Sequence, residues 1–195
     1  AMISHVDKRV GNIIQTLKDN GLYENTIIIF AGDNGLAVGQ HGLMGKQNVY
    51  EHSVGVPLMI KAAAQHTGKK TADLCYLIDV FPTLCDMLQL PVPQSVDGIS
   101  LLSSLHGKEP VRDYLYYSYM DNQRGISDGT WKLIEYHVNG KRTTQLFNLK
   151  NDPWERNDLS GQKKYEKTIQ RLREKMAEEQ KRTNDTSVFW NNFSY

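Results

Sequence analysis

The run Thr26-Ile27-Ile28-Ile29-Phe30-Ala31 constrains the fold more than any other six residues of the 195-residue chain. It is continuous, β-branched and aromatic, with no polar alternation. A run of that kind predicts a strand covered on both faces, as in a parallel sheet. A second run, "GVPLMIKA" at 55–62, carries Pro57 near its start, where a missing N–H is tolerated. Residues 27–31 and 56–61 are therefore expected to be neighbouring strands of a mostly parallel sheet. Ahead of them, Ile3, Val6, Val10, Ile13, Ile14 and Leu17 recur at helical spacing over residues 2–19, and Asn20-Gly21 supplies a stop. Helix and buried strand in alternation predict an α/β class.

Further along, residues 77–90 read as a helix with Pro82 in its first turn, and "SLLSSLHG" as a short helix closed by Gly107. From residue 113 the character changes. "DYLYYSYM", "GTWKLIEYHV" and "KRTTQLFNL" are aromatic and β-branched segments broken by Asp, Asn and Gly, the pattern of an antiparallel meander. Residues 163–182 form a highly charged helix with Leu172 and Met176 on its inner side. The expected division is 1–110 as an α/β part and 111–195 as a small β-meander plus helix.

Composition narrows the partners. Lysine plus arginine number 23 against 22 acids, a net charge of +1 that offers no nucleic-acid footprint and no polybasic membrane patch. No apolar run has the length of a membrane span. Cys75 and Cys85 read as small buried residues on or beside a helix, since neither a disulfide framework nor a two-cysteine metal site has the spacing. The chain opens inside an amphipathic pattern, as though in the middle of a longer fold.

Between the two apolar runs lies "AGDNGLAVGQHGLMGKQNVYEHS". Strand ends of open α/β sheets are where ligands bind, so this stretch is the candidate site. Asp33 and Asn34 offer a carboxylate and an amide carbonyl, hard oxygens suited to calcium or magnesium, and Gly32 and Gly35 permit a sharp turn. Taken alone, Asp-Asn-Gly is also an ordinary turn. Lys46 could bring a point charge to an anion, and His41 could donate a hydrogen bond or move a proton. Each is equally compatible with a structural loop.

The order of these features resembles the sulfatases of the alkaline phosphatase superfamily: strand, Asp-Asn-Gly, a glycine-rich stretch ending Gly-Lys, then Tyr-Glu, Val-Pro and a second strand. Two more segments carry the resemblance. "LIDVFPTLCDML" is similar to the family's Asp-x-x-Pro-Thr-Leu, and "LFNLKNDPWERNDLS" to its Leu-Tyr-Asp-Leu-x-x-Asp-Pro-x-Glu-x-x-Asn-Leu. The resemblance implies an alkaline-phosphatase-like α/β fold. It implies that Asp33 and Asn34 are metal ligands for Ca2+ or Mg2+, and that Lys46 is the lysine contacting the substrate sulfate. His41 falls where members vary and carries over only as a substrate contact. Asp7, Tyr50 and Glu51 match family positions with a structural role.

The departures matter as much. The family's upstream Asp-Asp ligand pair is absent from this sequence. So is Cys/Ser-x-Pro-Ser-Arg, whose first residue becomes the formylglycine nucleophile. Gly55 stands where the family has arginine before Val-Pro. The resemblance therefore implies about the last third of a sulfuric ester hydrolase. Its partners would be the missing N-terminal part and a sulfated small molecule or glycan, and this chain would be inactive alone. A related phosphonate monoester hydrolase or phosphodiesterase and a non-catalytic binding module are the competing readings. Which sulfate ester is cleaved, and the oligomeric state, are not legible. If the source is bacterial, the resemblance implies a periplasmic or secreted location.

Overall fold

A computed structural model describes residues 1–62 and 68–187. The helices are α1 (Met2–Asp19), α2 (Glu51–Val54), α3 (Val80–Met87), α4 (Leu102–Leu105) and α5 (Glu166–Arg182); the strands are β1 (Ile28–Ala31), β2 (Leu58–Lys61), β3 (Leu115–Tyr119), β4 (Gln123–Ser127), β5 (Trp131–Val138) and β6 (Lys141–Asn148). None of these helices is long and apolar enough to cross a membrane. The described residues fall into two compact units: 1–32 with 57–62 and 68–70, and 33–56 with 71–187.

The first unit holds α1, β1 and β2. Helix α1 ends as Asn20-Gly21 predicted. Gly21 adopts φ +68, its N–H donates to the Lys18 carbonyl, and Leu22 N–H donates to Leu17 at 2.8 Å, the paired bonds of a glycine-terminated helix. Half of the apolar stripe of α1 stays exposed, with Ile3 at 87% and Ile13 at 63%, while Val10, Ile14 and Leu17 are partly buried. Lys61 Nζ donates to the carbonyls of Tyr23 (2.7 Å) and Thr26 (3.2 Å), which ties β2 to the turn after α1.

The expectation that these strands lie in a parallel sheet is corrected here. β1 and β2 are neighbours but pair antiparallel, with Ile29 opposite Ile60 and Phe30 opposite Met59. Parallel pairing needs a crossover that carries the chain back along the strand, usually a helix of a dozen residues or so. The longest α-helix between β1 and β2 is the four-residue α2, so the chain simply doubles back. Nor are the strands covered on both faces as expected: β1 and β2 hold no fully buried residue, Phe30 is 38% exposed and Met59 58%. Apolar continuity in the sequence leaves both strand direction and the extent of cover open.

In the second unit, β3–β4–β5–β6 form an antiparallel meander with each strand beside the next. Asn139 (φ +52) and Gly140 (φ +74) make the two-residue turn between β5 and β6, the left-handed geometry that an Asn-Gly pair favours. Side chains alternate between the faces, as the pleat requires. Leu133 and Leu146 pack with Tyr116, Ile126, Leu172 and Met176 beneath α5. Ile134 and Phe147, one residue on, pack with Val49 and Tyr50 from the candidate loop. The sheet is thus covered by a helix on one face and by the loop on the other.

Strand β4, not singled out in the sequence, has Gly125 at its centre. A Cβ there would lie 3.5 Å from Val49 Cγ2 and 3.3 Å from Tyr117 Cδ2, so the glycine leaves room for the loop to sit down on the sheet.

The Asp-x-x-Pro-Thr-Leu segment is a structural knot. The fully buried Asp79 carboxylate accepts from Tyr76 N–H at 2.7 Å and from Ile99 N–H at 2.8 Å, and pairs with Arg112. Thr83 Oγ1 donates to the Asp79 carbonyl and accepts from Leu101 N–H. Cys85 is buried on α3, Cys75 is half-buried, and both are free thiols.

Candidate active-site loop

Residues 33–56 double back on themselves. Gly35 N–H donates to Ser53 O at 2.9 Å, Ala37 N–H to Gly45 O at 3.0 Å, and Gly39 N–H to Leu43 O at 2.8 Å. Ala37, Asn48, Val49 and Tyr50 are buried and anchor the excursion. Gly35 is obligatory, because a Cβ there would stand 1.9 Å from the His52 carbonyl oxygen. The tip is strained. Val38, Gly39, His41 and Gly42 all have left-handed backbone, with Val38 at φ +47 and His41 at φ +53. For a β-branched valine that conformation is a genuine outlier, and such strain concentrates at functional sites.

The loop brings two of the four candidate residues together. Lys46 Nζ lies 3.9 Å from Asp33 Oδ2, with the side chains 53% and 91% exposed. At that distance and exposure the pair is a loose ionic contact worth little stability, and both groups face water. Asn34 is exposed beside Asp33. His41 belongs to a different cluster. Its ring stacks on Tyr50 with centroids 4.0 Å apart and planes 4° from parallel, and His52 lies 5.7 Å away. Both His52 ring nitrogens are buried without a hydrogen-bond partner, and burial, then His41 and Lys132, holds its imidazole below the usual histidine range.

Two clefts open on either side of His41. One, of about 490 Å³, is lined by Tyr50, Gln123, Tyr136, Lys141 and Gln145 as well as His41. Tyr50 Oη donates to Gln145 Oε1 at 2.7 Å on its wall. The other, of about 480 Å³, is lined by Gln40, His41, Trp154 and Arg156.

Beneath the loop lies an ionic cluster that sequence reasoning missed. Lys132 Nζ, fully buried, sits 2.7 Å from Glu51 Oε1 and 3.1 Å from Glu155 Oε1. The other Glu155 oxygen accepts from Glu51 N–H at 2.6 Å. Burial pushes the Glu155 carboxyl above the usual carboxylate range, and Lys132 pulls it back only in part. The Glu of Asp-Pro-x-Glu thus pins the start of α2 to the sheet. Gly55 fits this arrangement, since a Cβ there would lie 2.8 Å from Glu51 Oε2 and 2.9 Å from Glu51 O. The available signal was the pair Leu133-Ile134, apolar on successive positions. Both faces of β5 had to be covered, and Lys132 with them.

Asp33 and Asn34 match a hard divalent cation in kind, and fall short in number. Calcium takes six to eight oxygens, whereas two side chains supply two or three. Among the described residues no group of three or more His, Cys, Asp or Glu could hold a metal.

The site is thus a strained, glycine-rich loop that presents a lysine and an Asp-Asn pair, seated on a four-stranded antiparallel meander backed by one helix. Comparison with known proteins supplies the class. Residues 39–182 match the family described as N-sulphoglucosamine sulphohydrolase, C-terminal, and the chain belongs to the sulfatase family, of which it matches the C-terminal portion. It is 30% identical to an N-acetylglucosamine-6-O-sulfatase of Bacteroides thetaiotaomicron over 198 residues, covering 95% of this chain and 35% of that protein. It is 33% identical to a choline-sulfatase of Rhizobium meliloti, covering 82% and 32%. A solved structure of a protein in complex with its substrate D-glucosamine-2-N,6-O-disulfate superposes with a TM-score of 0.80 at 28% identity, over 96% of this chain and 40% of that one. A phosphonate monoester hydrolase of Agrobacterium radiobacter superposes with a TM-score of 0.77 at 28% identity, over 91% and 39%. The chain spans about a third of the length of the curated relatives it matches.

Proposed function

We propose that this chain is the C-terminal portion of a sulfuric ester hydrolase. It would supply Lys46 as the cation that meets the substrate's sulfate, and Asp33 with Asn34 as two oxygen ligands of a Ca2+ or Mg2+ site. The observation that carries the reading is the approach of Lys46 Nζ to Asp33 Oδ2, 3.9 Å apart on the exposed surface of a loop otherwise tied down by backbone bonds. A cation and an anion ligand side by side suit an ester anion bridging a lysine and a metal.

In this reading residues 1–110 belong to the α/β core and 111–195 form the subdomain that seats the loop. Lys46 binds the anionic oxygens and offsets their charge. A bound metal would polarise the ester oxygens, with Asp33 and Asn34 holding it alongside ligands from an N-terminal part of the same protein. The nucleophile lies outside this chain, because none of its residues fits the formylglycine motif. The sulfated substrate is a small molecule or glycan. A saccharide is favoured by the substrate named for the neighbouring structure and by the N-acetylglucosamine-6-O-sulfatase relative.

A phosphonate ester is the second reading, favoured by the Agrobacterium radiobacter neighbour. The Asp33-Asn34 pair inclines towards sulfate, since phosphate-acting relatives more often carry Asp-His. A non-catalytic binding module is the third reading.

The test is a titration of the chain with sodium sulfate and with methylphosphonate, followed by NMR at Lys46, and an assay with a chromogenic aryl sulfate plus calcium. Sulfate is expected to bind more tightly than phosphonate, Lys46→Ala to remove that binding, and turnover to equal the buffer blank. Calcium should bind no better than about millimolar, the weak end of known sites, and Asp33→Ala should remove it. Sulfate binding indifferent to Lys46→Ala would overturn the reading. Turnover that survives purification and vanishes in Lys46→Ala would overturn the assignment of the nucleophile to another segment.

A further inference from the structure

The cleft formed by Trp154 and Arg156 with Gln40 and His41 has no part in holding a metal or in the Asp33–Lys46 contact. It carries three features of a built recognition surface. Trp154, a large apolar ring that lines the cleft, is 60% exposed. Arg156, also exposed, adds a planar cation two residues further on. The opposite wall supplies the side-chain amide of Gln40 and the imidazole of His41.

Both walls are held by buried contacts. Glu155, between Trp154 and Arg156, has left-handed backbone at φ +54 and a carboxylate 1% exposed against Lys132 and Glu51 N–H. With residue 155 locked inward, its two neighbours are exposed. On the other wall His41, at φ +53, is fixed by its stack on the buried Tyr50. An exposed tryptophan and arginine on a backbone that is strained and anchored from below are poorly explained as ordinary surface.

We propose that this cleft is a saccharide subsite that binds an anionic sugar unit adjoining the one whose ester is cleaved. Trp154 takes the apolar face of the ring, Arg156 takes a sulfate or carboxylate on it, and Gln40 and His41 hydrogen-bond its hydroxyls. A pyranose presents an apolar C–H face and equatorial hydroxyls, which match a ring platform flanked by an amide and an imidazole. A planar guanidinium reads sulfate and carboxylate through paired N–H donors. The adjoining position of this unit rests on the reading of Lys46 as the sulfate contact, because His41 lies five residues before Lys46 on the same loop.

The experiment uses the 195-residue chain and four probes: glucosamine 6-sulfate, a disaccharide of that unit with a hexuronate, the same disaccharide with a second sulfate in place of the carboxylate, and the neutral disaccharide cellobiose. Affinities are read by NMR at the Trp154 and Lys46 signals. Both anionic disaccharides should bind about three- to tenfold more tightly than the monosaccharide, the size of one aromatic or cation contact. Trp154→Ala should erase that gain, and Arg156→Gln should bring the anionic disaccharides down to the affinity of glucosamine 6-sulfate, leaving only the preference over cellobiose that Lys46 supplies. A preference for one anionic disaccharide identifies the anion, and equal binding assigns charge alone. Lys46→Ala should weaken all sulfated probes and leave the disaccharide-to-monosaccharide ratio intact. If Lys46→Ala has no effect while Trp154→Ala does, the sulfatase reading fails and the subsite stands as a sugar site. A ratio unchanged by both Trp154→Ala and Arg156→Gln overturns the subsite.

Discussion

Replacing Lys132 by methionine removes the charge at the centre of the ionic cluster and keeps the apolar stem. Lys132 Nζ is fully buried, and of its two partners Glu155 is 1% exposed while the Glu51 side chain is 32% exposed. Glu51 can turn to water; Glu155 cannot. The variant buries a carboxylate with one backbone N–H as its remaining partner, and breaking a buried pair in this way costs about 3–5 kcal/mol. For a chain of this size that lowers the melting midpoint by roughly 10 °C.

The pH dependence is a second, sharper signature. The Glu155 carboxyl already sits above its ordinary value of 4.5 because it is buried, and loss of Lys132 pushes it higher. The folded variant then holds a proton that the unfolded chain releases, so stability falls as pH rises through the window above 4.5. The deficit against the unmodified chain should be smallest near the acid end of that window and largest at neutral pH. Urea denaturation followed by circular dichroism at several pH values measures it, with Lys132→Met/Glu155→Gln expected to recover at least half of the loss. A Lys132→Met deficit below 1 kcal/mol at neutral pH, or one that does not change with pH, would refute the assignment of the cluster as the clamp beneath the loop.

Three further outcomes are expected. Gly35→Ala places a methyl 1.9 Å from the His52 carbonyl oxygen and should cost about 1–3 kcal/mol; amide exchange should show the Gly35–Ser53 bond lost, and unchanged protection would contradict the geometry. Asp79→Asn removes the carboxylate that pairs with Arg112 and should cost about 3 kcal/mol; a urea midpoint within experimental error of the unmodified chain would argue against the knot. Burial alone would raise the Asp185 carboxyl, but hydrogen bonds from Arg124 and Tyr116 hold it below the usual range, so its contribution is present above the ordinary carboxylate value and disappears as pH falls through the lowered one. Acid titration of Asp185→Asn should accordingly lose less stability than the unmodified chain between about pH 4 and pH 2.

Elements whose signal is local were legible in the sequence. The stripe Ile3 to Leu17 with Asn20-Gly21 marks α1, and Asn139-Gly140 marks the β5–β6 turn, because a left-handed pair leaves few alternatives. The direction of β1 against β2 was not legible, since Ile27–Phe30 looks the same whichever way its neighbour runs. Strand β4 was hidden because Gln123, Arg124 and Gly125 have little strand character of their own and are held by pairing on both sides. Of the loop, Asp33, Asn34, Lys46 and His41 could be picked out by chemistry, but not which would meet. Lysine and glutamate ordinarily read as solvent-facing, so Lys132 and Glu155 gave no warning that they meet under the loop. Trp154 and Arg156 were likewise absorbed into a signature as its variable positions.

The backbone bonds across the loop have a consequence for its evolution. Gly35 to Ser53 and Ala37 to Gly45 act as rungs, so closure of the excursion is already settled below the tip. Each doubling in the length of a flexible loop adds only about 0.6 kcal/mol of closure cost. Residues 38–44 can therefore gain, lose or exchange residues while Asp33, Asn34 and Lys46 keep their places. On the proposed reading, lineages sharing the lower rungs can diverge in what they recognise by rewriting seven residues while Asp33, Asn34 and Lys46 stay in place. A library of insertions confined to 38–44 is the place to begin redirecting such a protein.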